Sequence, residues 1–384
     1  MNARTLAIIA AATAALVIVA ALTTLSGGGS ASDLPERLAP GLYDRAADIE
    51  RIRIDAAEGM TVLVRDDAEN GPTDAERWNI AEPYHGYPAD PARVGTLLRT
   101  LAELTPAQRR TADPQRHDLL GVHDVPEGEP RPEGAARVTL TDAEDGTIAD
   151  IILGERAQTG RYARRAGENQ SWLTEGRATI PQGPRRYLPS PVLEIPSTSI
   201  ESIDISPAQA SDGDIGYSIR RSSNPESGPP FSVAGLPDGA ELNSDANDIL
   251  SRIVSSLSFV TPRDVLPADE APTNADTRST AVVRTTDGLS LAITITPITT
   301  SGRGAPTEAW VRIIPSRDAN NSTAGDAPDA EPSSDAAFAE LRRRLDGWAL
   351  KLSGPIVDRL RTRENDLILQ KPAPGAPPEP PGLR

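Results

Sequence analysis

The sequence predicts an α+β protein: two tandem similar units, each a mainly antiparallel sheet with one main packed helix, behind one amino-terminal transmembrane helix. Three observations predict it. The stretch Ile49-Glu50-Arg51-Ile52-Arg53-Ile54 returns as Ile200-Glu201-Ser202-Ile203-Asp204-Ile205. In both copies the isoleucines alternate as a half-buried strand requires. Each copy is followed by an amphipathic stretch ending at Thr105-Pro106 or Thr261-Pro262, then by Asp145-Gly146 or Asp287-Gly288 between two apolar runs, a strong hairpin signal. Leu6 to Leu25 carries no charge and is just long enough to span a bilayer as a helix.

The elements follow in chain order. Arg4 precedes the apolar run and the first acid, Asp33, follows it, so the positive-inside rule puts the amino terminus in the cytoplasm and the bulk of the chain outside. Residues 1–32 are read as anchor plus a Gly/Ser spacer. A cleaved signal peptide, with Gly29-Ser30-Ala31 as its processing site, stays open; either reading exports the rest to the periplasmic side. The first unit, 45–192, begins with strands at Ile49–Asp55, Thr61–Arg65 and Arg77–Ile80. Asp90 and Pro91 open a helix whose stripe is Val94, Leu97, Leu98, Leu101 and Leu104. Arg109–Glu133 reads as polar loop around His117–Gly121. Strands follow at Ala136–Thr141, Thr147–Leu153, Gly160–Arg164 and Ser171–Thr174, then a short helix or loop at Ile180–Leu188.

The second unit, 199–369, repeats this order. Strands fall at Ile200–Ser206, Gly216–Arg220 and Pro230–Val233. A helix capped by Ser244 or Asp245 buries Ile249, Leu250, Ile253, Val254 and Leu257. Asp264-Val265-Leu266 echoes Asp118-Leu119-Leu120. Thr280–Thr285, Leu289–Thr296, Ala309–Arg312 and Trp348–Leu352 complete the strands. An acidic, Ser/Pro-rich insertion at 315–335 and a helix near Ala336–Leu345 have no counterpart in the first unit. A short helix capped at Ser353 precedes the Pro-rich tail, 370–384, read as extended and solvated.

Composition narrows the function. Hydrophobic residues are 38% of the chain and aromatics 3%, so the cores are built from Val, Ile, Leu and Ala. The net charge of −16 argues against nucleic acid as a partner, because phosphate binding needs clustered Lys and Arg. The chain has 0 cysteines, which excludes disulfides, thiolate nucleophiles, iron–sulfur clusters and cysteine zinc sites.

No stretch carries catalytic chemistry. The histidines His85, His117 and His123 lack the three- or four-residue helical spacing of metal ligands. No Gly-x-Ser-x-Gly elbow is present, and Gly27–Gly29 lacks the Lys-Ser/Thr of a phosphate loop. The reading is therefore no enzyme, no cofactor and no metal. Aromatics are rare, which makes Trp78, Tyr84, His85, Tyr87 and Tyr162 the candidate ligand-groove residues; the same rings suit core packing. Arg109-Arg110 and Arg342-Arg343-Arg344 read as solvated basic faces.

Taken in order, Ile-x-x-Ile-x-Ile, Trp78, Pro83 and Pro88-Ala89-Asp90 opening a helix, Leu120-Gly121, Gly154 and Arg161-Tyr162 resemble the bacterial domain-of-unknown-function family 4340, over about residues 45–365. The resemblance implies one amino-terminal membrane helix, an exported α+β repeat region and, for some members, neighbours in gliding-motility-type ABC transport systems. It implies no catalytic residues. The expectation is a membrane-anchored, extracytoplasmic, non-enzymatic accessory or binding protein in a membrane protein complex, with its ligand open. Two alternatives remain: an exported hydrolase of cell-wall or other polymer using an unrecognised carboxylate site, and a structural or adhesive spacer.

Overall fold

The computed structural model describes residues 34–66, 77–126, 128–206, 216–222, 230–236, 240–258, 260–272, 278–298, 308–317 and 333–369. The predicted membrane helix, spacer and Pro-rich tail lie outside them. No helix among the described residues is long and apolar enough to cross a membrane.

The elements in chain order are β1 (Arg51–Ala56), β2 (Gly59–Arg65), β3 (Trp78–Glu82), β4 (Tyr87–Pro88), α1 (Pro91–Ala102), β5 (Pro106–Arg109), β6 (Ala136–Thr141), β7 (Thr147–Arg156), β8 (Gly160–Arg165) and β9 (Ser171–Glu175). Then come β10 (Ile200–Ser206), β11 (Tyr217–Arg221), β12 (Phe231–Ala234), α2 (Ala246–Ser256), β13 (Asp264–Pro267), β14 (Ser279–Thr285), β15 (Leu289–Ile298), β16 (Glu308–Arg317), α3 (Ser333–Leu345), β17 (Trp348–Ser353) and α4 (Gly354–Leu360). The architecture is two mainly antiparallel sheets with few helices.

The chain divides into two compact units: one of Ala92–Arg186 with the described residues up to Arg65, the other of Asp66–Pro91 with the described residues from Tyr187 onward. In the first, the strands run β2-β1-β6-β7-β8-β9-β5 across one sheet. Ile52 and Ile54 of β1 are 0% exposed, as the alternation requires. Antiparallel pairing sets Ile52 against Leu63 and Leu140, and Ile54 against Thr61 and Val138. Fully burying an aliphatic side chain of this size contributes about 1.5–3 kcal/mol. Helix α1 buries Val94, Leu97 and Leu101, offsets of three and seven on one face. Pro106, expected only to end it, also starts β5, which pairs with β9. The polar segment after it is partly ordered as 3-10 turns at Pro114–Arg116 and Asp118–Leu120.

In the second unit the strands run β12-β11-β10-β14-β15-β16-β17-β13. Ile203 and Ile205 are buried, as Ile52 and Ile54 are in β1. Strand β13 pairs with β17 as β5 pairs with β9. Asp118–Leu120, expected to echo Asp264–Leu266, is a 3-10 turn and pairs with no strand among the described residues. A local Asp-Leu-Leu likeness carries no pairing information.

Three further expectations are corrected. The expected insertion at 315–335 begins too early and ends too late: Pro315–Arg317 completes β16, and α3 starts at Ser333. Of the two expected caps, Ser244 is not the N-cap of α2, and Asp245 holds that position in helical conformation without capping through its side chain. Asn243 holds this turn instead: its Oδ1 accepts the Asp245 N–H at 3.1 Å and its Nδ2 donates to the Asp366 carbonyl at 2.8 Å. The basic runs are not simply solvated. Arg343 and Arg344 both pair with Glu340, at 2.9 and 2.8 Å, and Arg343 also reaches Asp66 at 3.7 Å. Arg109 and Arg110 stack on Trp172 and Tyr162.

Candidate functional site

The predicted aromatic residues fall in two places. Trp78, Tyr84, His85 and Tyr87 belong to the β3–β4 hairpin of the second unit. Its turn is closed by the Tyr87 N–H donating to Tyr84 O at 2.8 Å and the Gly86 N–H to Ile80 O at 2.9 Å. His85 and Gly86 take positive φ there, 52° and 86°. His85 is exposed, whereas Trp78, Tyr84 and Tyr87 are 2, 5 and 0% exposed, so these rings face the interior. Tyr87 packs edge-on against Trp348, centroids 5.0 Å apart, and its hydroxyl donates to the Arg344 carbonyl at 3.0 Å. Burial pushes the Tyr87 hydroxyl's pKa well above the ordinary phenol value, and Arg344 and Arg343 only partly offset it. Tyr162 is in the first unit, half-buried on β8 with the Arg110 guanidinium 5.6 Å from its ring centre.

The histidines are placed separately. His117 is buried, and its Nε2 donates to the Asn169 carbonyl at 2.8 Å. Among the described residues no group of three His, Asp or Glu is placed to hold a metal ion.

The first unit holds a site that the aromatic reading missed. With Ile52 and Ile54 facing one way, Arg53 and Asp55 of β1 face the other. Pairing sets Arg53 beside Thr139 and Asp55 beside Arg137 on β6, and Thr139 beside Asp150 on β7. The result is a polar row across three strands. Arg53 Nε donates to both Asp55 oxygens at 3.1 Å. Arg137 forks onto Asp150, Nε to Oδ1 at 2.9 Å and Nη2 to Oδ2 at 2.6 Å, and Thr139 donates to the same Oδ1 at 3.3 Å. That hydrogen-bonded carboxylate raises the Arg137 pKa above its ordinary value, against the opposing effect of burial.

Residues 122–126 and 128–131 run over this row. Arg164, in register with Ile152 and Arg137 across β7, holds them there. Its Nε donates to Val122 O at 2.8 Å and its Nη2 lies 2.9 Å from Asp124. Gly154 permits the approach: a Cβ there would collide with the Leu120 carbonyl oxygen and come within 2.6 Å of Val122 Cγ1. Leu120-Gly121 and Gly154, far apart in the motif, thus meet in space.

Between these overlying residues and the strands lies a cavity of about 510 Å³, walled by Arg53, Asp55, Met60, Val125, Arg131 and Arg137 among others. Arg131 is 5% exposed, and its Nη1 donates to the His123 carbonyl at 3.2 Å. Its Nε has no hydrogen-bond partner among the described residues. Burial, then the neighbouring Arg137, hold its pKa below the ordinary guanidinium value, while Asp55 and Asp124 pull the other way. A guanidinium is effectively always charged in proteins and only donates. These walls can hold and orient an acceptor; a guanidinium cannot shuttle a proton near neutral pH. The sequence did signal the row, through charges alternating with isoleucines and valines. It gave no signal for Arg131, which a loop carries onto the sheet.

Fold and cavity together define an α+β protein of antiparallel sheets with an arginine-walled recess on one of them. A family model described as Domain of unknown function (DUF4340) matches residues 78–278, more than half of the chain, and the chain belongs to that family. Neither the curated proteins nor the solved structures give a match.

Proposed function

We propose that this chain is a non-enzymatic binding or accessory protein, tethered to the cell membrane by Leu6–Leu25, with both units on the extracytoplasmic side. The observation that carries the binding role is the arginine-walled cavity: three guanidinium groups on or over regular strands, in a chain whose net charge is −16. Such groups are suited to holding and orienting a partner's acceptors. The uncharged amino-terminal run supports the tether. A component of an ABC-type transport or surface machine is the partner class this reading favours.

The units are read as one architecture built twice. The orders β2-β1-β6-β7-β8-β9-β5 and β11-β10-β14-β15-β16-β17-β13 support this. So do the isoleucine pairs at the centre of each sheet.

Crosslinking of intact cells, followed by capture of the full-length chain from solubilised membranes, tests the reading. A defined membrane protein should be recovered with it, and protease added to spheroplasts should digest both units. Recovery of the chain alone would sink the accessory role, and protection from protease would sink the topology.

A further inference from the structure

We propose that the cavity between residues 125–126 and 128–131 and strands β1 and β6 is a binding site for a small organic acid, a carboxylate head on a short apolar body, with Arg131 as its anchoring donor. The inference rests on the binding-protein reading above and names the ligand class of its site.

Arg131 is a buried cation whose only described hydrogen bond is Nη1 to the His123 carbonyl. Among the described residues it forms no ion pair, and its Nε is unpartnered. A buried charge is stable only when paired and hydrogen-bonded, so a planar acceptor with negative charge is the group this position lacks. A carboxylate fits the edge of a guanidinium, two parallel N–H donors onto two oxygens.

The other two arginines are partly committed. Arg53 holds Asp55 through Nε, and the Arg137 fork onto Asp150 uses Nε and Nη2 but not Nη1. They keep the recess cationic without closing it on Arg131. The remaining walls give the apolar part: Ala56, Met60, Val125, Pro126 and Pro130 face the same space. A bare phosphate would leave those walls wet, whereas a short hydrocarbon covers them. The acids at the recess, Asp55 and the exposed Glu129, disfavour a ligand of high charge.

Calorimetric titration of the full-length chain in detergent tests this, with butyrate, uncharged butyramide and inorganic phosphate as probes. Butyrate should bind saturably, butyramide should not, and phosphate should bind at least tenfold more weakly than butyrate. R131Q should weaken butyrate at least tenfold, and R110Q, outside the cavity, should leave it unchanged. M60W, which fills the recess and removes no charge, should also abolish binding, so the result does not hang on whether R131Q folds. A flat butyrate titration, equal binding of butyramide, phosphate binding as tight as butyrate, or unchanged binding in M60W would each overturn the proposal. If butyrate fails to bind while a membrane partner is still captured, only the ligand assignment falls. If butyrate binds but no partner is captured, only the accessory role falls.

Discussion

Replacing Arg161 by methionine removes a buried polar clamp from the first unit while keeping most of its volume. Arg161 is 1% exposed, and its guanidinium donates to three backbone carbonyls: Nε to Gly154 at 3.0 Å, Nη1 to Ala178 at 3.0 Å, and Nη2 to Gly134. Burial brings its pKa down to about 10, still far enough above neutrality to keep it charged. In the variant the Gly134 oxygen retains Gln182 Nε2 at 3.0 Å. The Gly154 oxygen is buried and loses its donor, which costs about 1–3 kcal/mol. The Ala178 oxygen is partly accessible, so water replaces part of what it loses, at about 1 kcal/mol. Relief of the guanidinium's own desolvation offsets some of this. The net expectation is a loss of about 2–3 kcal/mol. Trp172, on β9 next to β8, is the one tryptophan of the first unit; the others are Trp78, Trp310 and Trp348. Urea unfolding followed through Trp172, with the other three replaced by phenylalanine, reads the loss where it occurs. Arg161→Lys keeps the charge but cannot reach all three oxygens, so it should fall between the two. A loss below about 0.5 kcal/mol for R161M would show that the carbonyls are satisfied without it, and the clamp argument would fail.

Tyr87→Phe removes the hydrogen bond to the Arg344 carbonyl but keeps the ring against Trp348. It should cost the second unit about 1 kcal/mol, read by Trp348 emission in a urea titration; an unchanged midpoint would mean the hydroxyl is not structural. Burial alone would raise the Asp204 pKa, but hydrogen bonds from Ser218 and Arg284 outweigh it and hold the carboxyl below its ordinary value. Glu340 is likewise held low, burial being outweighed by Arg343 and Arg344. A carboxyl depressed in the folded state contributes stability that is complete above its unfolded pKa and is lost as pH falls through the folded value. Stability of the second unit should therefore drop from about pH 4 downward, and Asp204→Asn should be weaker at pH 7 with a shallower acid decline. An acid profile identical to the parent's would remove Asp204 from the account.

The predicted aromatic groove and the arginine recess differ in how they could be read. Trp78, Tyr84 and Tyr87 stand out by rarity, yet rarity does not say which way a ring points. The β3–β4 turn, with positive φ at His85 and Gly86, turns Tyr84 and Tyr87 inward. Arg53 and Asp55 were legible as an outward pair because a strand's period of two fixes their face. Arg137 follows from its own strand, but its neighbours on β1 and β7 come from register.

The linear order of residues by itself determined the strands around Ile52, Ile54, Ile203 and Ile205, both Asp-Gly hairpins and the starts of α1 and α2. Periodicity, turn chemistry and proline act over a few residues and need no partner. Only the tertiary structure decided that Pro106–Arg109 is a strand, that the described residues 66 and 77–91 group with the second unit, and that Arg131 sits buried over β1 and β6. Each of these depends on what a segment meets across space. A short polar stretch with no period of its own takes its conformation from the carbonyls, guanidinium groups and strand edges it reaches.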